Sequence, residues 1–445
     1  MRSINLQNLS LFASGSLLTL AILAACHAPT TALTRQPESA PSPVTVLHVL
    51  TESDGMAVRG ALTELDGRLF GLAGERGPNG SPSCSSSALW QTTEHTLHCP
   101  GSLFSLRLDG SDFRVEHAFS RLDGSGRNSD GYHPFGTLAV GPDRRLYGVT
   151  QMGGAPSDPS IPGFGVLFAY EPARDGQPSS FEVLHHFFSE PRAMDGEYPM
   201  GIVAIDAAGN VFGTAKDGGT TSTGTVWEWS PGGAFRYAPL PGVSYGGVTL
   251  SGGLLHGTTW SGGAGGVGVY FTVDPQTLVV RVVDSFPAFG WPLRANDNTP
   301  IQAPLALRDG TVIAVREFGR PFGTGLVARL SPDGITALWS PGDLGSVDVA
   351  PRFSNATGGM PNGQVVEGRD GMIYGTAQYG GAYGTGAVYR IARDGTLQQL
   401  LWSWPDAAYS YGGLVAGSDG AYYGVTWNTS QIYRFTPSAA CGGGP

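Results

Sequence analysis

Lysine is almost missing from this 445-residue chain: Lys216 stands alone, and every other basic side chain is arginine. Lys and Arg together number 26 against 36 Asp and Glu, a formal net charge of -10 with histidine neutral. No basic stripe is present to neutralise phosphates, which argues against a nucleic-acid partner. The chain also lacks a P-loop, a dinucleotide fingerprint, a zinc signature and a Ser-His-Asp order. No pair of residues has metal-ligand spacing, and "NDNT" from Asn296 is too short for a calcium loop. No metal and no cofactor are therefore expected. The N-terminal apolar run includes "SLLTLAILAAC", Ser16 to Cys26, which is too short for a comfortable membrane span.

Glycine, by contrast, is abundant. Gly 68 and Pro 32 make up about 22% of the residues, just under the range of low complexity, while a hydrophobic share of 41% suffices for a core. The N-terminus reads as a targeting segment: Arg2, then the apolar run, then Leu23-Ala24-Ala25-Cys26. That ending resembles the bacterial lipobox, which implies a signal peptide over 1–26 and a lipid on Cys26. His27, rather than Asp, follows the cysteine; by resemblance to Gram-negative lipoproteins this implies the outer membrane, periplasmic or surface-exposed. Residues 27–43, "HAPTTALTRQPESAPSP", are polar and proline-rich and read as a tether. Cys84 and Cys99 lie in one irregular segment and can close a loop by a disulfide in an oxidising compartment. Cys441 is left over in a tail, 437–445, expected to be disordered.

The glycines recur in order. In "GMIYGTAQYGGAYGTGAVYRIARDG", 371–395, a strand (B) follows an Asp-Gly turn, a glycine-rich loop leads to strand C, and a second Asp-Gly turn leads to strand D. Strand A precedes the first turn. Similar units begin at Gly60, Gly136, Gly201, Gly247, Pro304 and Gly413, which gives seven copies. Their strand B residues are Phe70, Tyr147, Phe212, His256, Ile313, Tyr374 and Tyr423. A four-stranded unit that cannot bury both faces alone, repeated seven times with loops of variable length, predicts an all-β, seven-bladed β-propeller over 44–436. Glycine serves its tight turns. "VTVLHVL", Val44 to Leu50, matches strand D of other units, "FRVEHAF" and "FEVLHHF", and has no strands A to C before it. The last unit stops after strand C at "QIYRF". The first strand is therefore expected to complete the last blade and remove an open sheet edge.

The repeat resembles the GloVer-type tandem repeat of bacterial surface proteins. The likeness rests on Asp195-Gly196-Glu197-Tyr198-Pro199, on Tyr374-Gly375-Thr376, and on Gly218-Gly219 with Gly224-Thr225. It covers roughly residues 44 to 436; the units at 247 and 304 depart from the pattern. The resemblance implies a fold and export, and no activity.

In a propeller the D-to-A and B-to-C connections leave one face, and here they are the long, varied ones, so binding residues are expected there. The entries before strand A bring Asp54, Asp130 and Asp195, each followed by glycine, and Asp297, followed by asparagine, to similar positions. Carboxylates on one rim suit a cation, sugar hydroxyls or acid-base work, although a repeated Asp-Gly more often caps its own turn. His48, His117 and His185 share one place in strand D, a structural pattern; His133, in "DGYHP", has no matched partner. The two positions after "YGT-x" vary among units and should ring the mouth of the central channel. Among them, Gln151, Lys216 with Asp217, Trp260, Arg316 with Glu317, Gln378 with Tyr379, and Trp427 offer stacking and hydrogen bonds to a sugar. The expected ligand-binding set is these residues other than Arg316, with Asp130 and Asp195. A lyase or hydrolase would instead draw on Tyr132, His133, Tyr198 and Arg316 as catalytic residues, with the segment 77–100 as a lid. Three functions follow: a monomeric binding lipoprotein for a polysaccharide or an envelope protein, a polysaccharide lyase or hydrolase, or an outer-membrane assembly scaffold.

Overall fold

The computed structural model describes residues 42–80, 99–156, 158, 160–188, 194–286, 302–316, 326–339, 359–361, 363–396, 398–405, 410 and 412–437. The signal peptide, Cys26, nearly all of the tether, Cys84, Glu317, Asp297 and the tail from 438 lie outside these residues.

The described residues form 30 strands and no helix, in seven antiparallel sheets. The first strand is β1 (Val44–Val49). Blade 1 holds β2 (Thr63–Leu65), β3 (Arg68–Ala73), β4 (Ser102–Arg107) and β5 (Arg114–Ala118). Blade 2 holds β6 (Tyr132–Pro134), β7 (Ala139–Val140), β8 (Leu146–Met152), β9 (Val166–Glu171) and β10 (Ser180–His186); β6 and β7 both pair with β8 as an interrupted strand A. Blade 3 holds β11 (Glu197–Ile205), β12 (Val211–Asp217), β13 (Thr225–Trp229) and β14 (Phe235–Pro239). Blade 4 holds β15 (Val248–Ser251), β16 (Leu254–Thr258), β17 (Val269–Val273) and β18 (Val280–Ser285). Blade 5 holds β19 (Leu305–Ala306), β20 (Val312–Arg316), β21 (Leu326–Ser331) and β22 (Gly334–Trp339). Blade 6 holds β23 (Gly359–Pro361), β24 (Val366–Glu367), β25 (Ile373–Tyr379), β26 (Ala387–Ile391) and β27 (Gln398–Ser403), with strand A again interrupted. Blade 7 holds β28 (Val415–Ala416), β29 (Tyr422–Val425) and β30 (Gln431–Phe435), and β1 is its fourth strand.

The wheel closes as expected. β1 runs antiparallel to β30, from Val44 opposite Phe435 to Val49 opposite Gln431, with a bulge between Val46 and His48. The units at 247 and 304, which depart from the repeat in sequence, are complete four-stranded blades. Seven hydrophobic clusters lie between consecutive blades, from 1–2 around to 7–1, so the ring has no seam without a core. The smallest of the seven, between blades 4 and 5, has four buried members: Tyr270, Val312, Ala314 and Leu330.

One glycine position departs from the turn role expected of it. The glycine of "YG" sits inside strand B, directly opposite the aromatic residue of strand C: Gly71 opposite Phe104, Gly148 opposite Phe168, Gly213 opposite Trp227, Gly257 opposite Phe271, Gly375 opposite Tyr389 and Gly424 opposite Tyr433. A Cβ at Gly213 would stand 2.2 Å from the Trp227 ring, and one at Gly257 2.3 Å from Phe271. The glycine leaves room for the ring to lie across its own blade and fill the core toward the preceding one. Blade 5 uses the other solution, Ala314 opposite Ala328.

Outer strands are joined by a second repeated device. His48 stacks on Phe113 at 3.9 Å, His117 on Phe181 at 3.8 Å and His185 on Phe235 at 3.7 Å, each pair bridging neighbouring blades. The free edge of each imidazole meets the Asp of the following Asp-Gly turn: His48 to Asp54 at 3.4 Å, His117 to Asp130 at 3.0 Å and His185 to Asp195 at 3.0 Å. These histidines hold the scaffold together, as their shared strand D place indicates.

Gly213→Ala is expected to destabilise the protein by about 1–3 kcal/mol through overpacking against Trp227. Gly213→Ala with Trp227→Ala, which rebuilds the blade 5 pair, should lose less than the sum of the single changes in a denaturant-unfolding cycle. Strict additivity would show that ring and glycine are not coupled.

Candidate functional site

Around the axis the innermost strands approach so closely that side chains are excluded. A Cβ on Gly60 would meet Gly136 O at 2.0 Å, one on Gly136 would meet Gly201 O at 2.2 Å, and one on Gly201 would meet the Gly246 carbonyl at 2.2 Å. Hydrogen bonds cross the axis at this level: Gln302 Nε2 donates to Arg59 O at 3.2 Å, and Thr137 Oγ1 to Gln364 Oε1 at 3.2 Å. The residue before each axial glycine stands on the loop side of this constriction: Arg59, Phe135, Met200 and Tyr245. Arg59, Phe135 and Tyr245 escaped the sequence reading. Their signal is simple, since each immediately precedes a repeated glycine, and side chains there are lifted onto the rim.

Two clusters result. In the first, on blades 3 and 4, Lys216 Nζ lies 3.0 Å from Asp217 Oδ2, 5.7 Å from the Tyr198 ring centre and 5.8 Å from that of Tyr245. Tyr245 meets Trp260 edge-on at 6.0 Å and 88°. Glu197 faces Asp217 across the β11–β12 ladder. Burial, with Asp217 and Asp195 nearby, holds the Glu197 carboxyl above its usual range. Burial and the carboxylates of Glu197 and Asp217 push the Tyr198 phenol up to about 12. The cluster presents a cation, carboxylates, un-ionised phenols and aromatic faces, the groups that bind sugar hydroxyls and C–H faces.

In the second, on blades 7, 1 and 2, the Arg59 guanidinium lies 4.7 Å from the Trp427 ring centre and 5.7 Å from that of Phe135. Its Nη2 stands 3.8 Å from Glu75 Oε1. Glu75 is buried, and desolvation raises its pKa against the opposing pull of Arg59 and Arg76. His133 Nδ1 donates to Gln151 Oε1 at 2.9 Å, which leaves Nε2 as an acceptor that meets no donor. Burial and the Arg59 charge push the His133 pKa down to about 3. His133 is not without repeat partners: it shares its place, three residues after the aspartate of the Asp-Gly pair, with Ala57 and Tyr198, and all three have positive φ, 57°, 61° and 57° respectively.

The remaining sequence-derived residues are dispersed. Tyr132 is fully buried, and its hydroxyl accepts the Cys99 backbone N–H. The bridge expected between Cys99 and Cys84 involves a residue outside those described. Asp130 and Asp195 lie beneath the rim, in the histidine pairs of the outer strands; Asp130 Oδ2 also accepts the Ser120 N–H at 3.0 Å. Gln378 Nε2 donates to Tyr379 at 3.4 Å on blade 6. Arg316 is one residue out of the register expected for it. It pairs with Leu326 as Thr150 pairs with Val166 and Ala377 with Ala387, so it ends strand B facing blade 4 rather than standing on the rim. Among the described residues no hydrogen bond, ion pair or ring contact joins Tyr132, His133, Tyr198 and Arg316 to one another; they belong to three blades.

Residues 243–441 match the Gloeobacter/Verrucomicrobia repeat. The matched span contains both blades whose sequences depart from the expected pattern. No curated protein matches the chain. Among solved structures, a chain of the mitotic checkpoint complex superposes with a TM-score of 0.51 at 9% identity, over 98% of this chain and 100% of that one. Virginiamycin B lyase from Staphylococcus aureus gives a TM-score of 0.49 at 10% identity, over 88% of this chain and 98% of the lyase. At such identities the likeness concerns the fold alone.

His133 is neutral in the folded protein down to about pH 3, whereas in the unfolded chain it takes a proton near 6.5. The unfolded state therefore binds the extra proton between these values, and stability falls as pH drops through that window and is unaffected above it. His133→Asn, which tolerates the positive φ, should lose about 2 kcal/mol less than the parent between pH 7.5 and pH 5 in denaturant titrations. Equal acid sensitivity in the two chains would contradict the buried neutral imidazole.

Proposed function

We propose that this protein is an exported lipoprotein, held in the outer membrane through Cys26, whose monomeric propeller binds an extracellular or cell-envelope glycan on its loop face. The observation that carries this reading is the blade 3–4 cluster, where Lys216 and Asp217 sit among Tyr198, Tyr245 and Trp260. Aromatic faces flanked by a fixed ion pair match the amphipathic surface of a sugar ring better than a flat protein partner. The exposed large apolar side chains among the described residues are divided among blades 2, 4, 6 and 7, which supports a glycan over a broad apolar docking edge.

The second cluster supports an alternative, a polysaccharide lyase or hydrolase. Glu75 Oε1 and His133 Nε2 are both buried without a hydrogen bond, and the charge of Arg59 acts on both residues. An acid with a raised pKa and a neutral imidazole within the field of one arginine are the types of group that general acid-base chemistry uses.

Glycan-array binding followed by calorimetry on the retained polysaccharide tests the first reading. Trp260→Ala and Tyr245→Ala should each weaken binding about tenfold. Binding unchanged in the Trp260→Ala, Trp427→Ala double variant would refute the site. Release of unsaturated or reducing ends that disappears in Glu75→Gln would favour the enzyme instead.

A further inference from the structure

The strand B position three residues after the repeated aromatic faces the preceding blade. It is filled by Ala73, Thr150, Ala215, Thr259, Ala377 and Thr426 in six blades and by Arg316 in blade 5. A guanidinium thus stands where the repeat places a methyl group or a hydroxyl. It lies at the loop-face end of β20, in the seam with the smallest of the seven inter-blade cores.

Arg316 is 2% exposed. Its guanidinium lies 4.2 Å from the centre of the Phe286 ring, and Nη2 donates to Val267 O at 3.3 Å. Nε is buried and meets no acceptor. No carboxylate among the described residues pairs with it, and burial alone pushes its pKa down to about 10. An enclosed arginine without a counter-charge costs several kcal/mol. The six other blades show that the fold does not require it.

We propose that Arg316 is an anion receptor that takes the carboxylate of an acidic sugar in the seam between blades 4 and 5. Nε–H and the second Nη2 hydrogen lie on one edge of the guanidinium and suit a bidentate carboxylate, while Phe286 backs the plane. Trp260, on the rim of blade 4, offers the neighbouring face on which the ring of such a sugar would lie. The sugar part of this inference rests on the glycan-binding reading; the anion part does not.

Thermal melting of the full chain tests it, with sodium glucuronate, sodium acetate or glucose added at matched ionic strength, for the parent, Arg316→Ala and Arg316→Thr. Without added ligand both variants should melt no lower than the parent, since alanine and threonine are what the other blades carry. Glucuronate should raise the parent's melting temperature more than acetate or glucose does, and both variants should lose that increment, corresponding to affinity at least about tenfold weaker. The inference is overturned if glucuronate gives the parent no extra shift, if the shift persists in the variants, if acetate matches glucuronate, or if both variants melt lower without ligand. The glycan reading fails separately, when no polysaccharide is retained on the array; the glucuronate shift still decides the role of Arg316.

Discussion

The pairing of a strand B glycine with a strand C aromatic ring is the constraint on which the wheel depends. A ring lying flat over a residue without a Cβ can extend beyond its own sheet, and each of the six rings reaches the cluster shared with the preceding blade. Burial of a large aromatic contributes about 2–3 kcal/mol at each interface, without a long strand or a helix to provide it. The exception supports the rule. Where blade 5 replaces the pair by Ala314 and Ala328, the interface with blade 4 is the smallest in the ring, and the repeat there accommodates a buried arginine.

The two faces divide the remaining work. On the short-turn face, aspartates take part in local bonds: Tyr147 donates to Asp143 at 2.7 Å, Tyr374 to Asp370 at 2.8 Å and Tyr423 to Asp419 at 2.8 Å. Contacts between blades continue this lacing, with Arg144 on Asp66, Arg393 on Asp309 and Ser418 on Glu64. Individually such exposed pairs contribute little. On the loop face, Glu75 Oε1, His133 Nε2 and Arg316 Nε are among the buried side-chain atoms of the described residues that meet no hydrogen-bond partner. An interior tolerates such groups only at a free-energy cost.

Much of the candidate site was legible because a repeat is its own control. Lys216, Asp217 and Trp260 stood out as positions that vary among copies, and the structure brings Lys216 and Asp217 together with Tyr198, with Trp260 joined to them through Tyr245. Arg316 was misread by one position because strand B of blade 5 lacks the glycine that marks the register elsewhere. Arg59 and Tyr245 were missed because residues before a glycine read as turn residues, when the close approach of backbones at the axis in fact lifts them onto the rim.

Glycine spacing, the strand D likeness of Val44–Leu50 and the truncated last unit were enough to determine the number of blades and the closure, since both follow from local pattern and from the need to pair every sheet edge. Which polar groups converge was decided by the curvature of the ring. It brings Arg59 of blade 1 to Trp427 of blade 7, and Lys216 of blade 3 to Tyr245 at the start of blade 4. Such contacts join residues far apart in the chain or on different blades, and they depend on the angle between neighbouring sheets, which the packing of aromatic rings sets in three dimensions and no periodicity along the chain encodes.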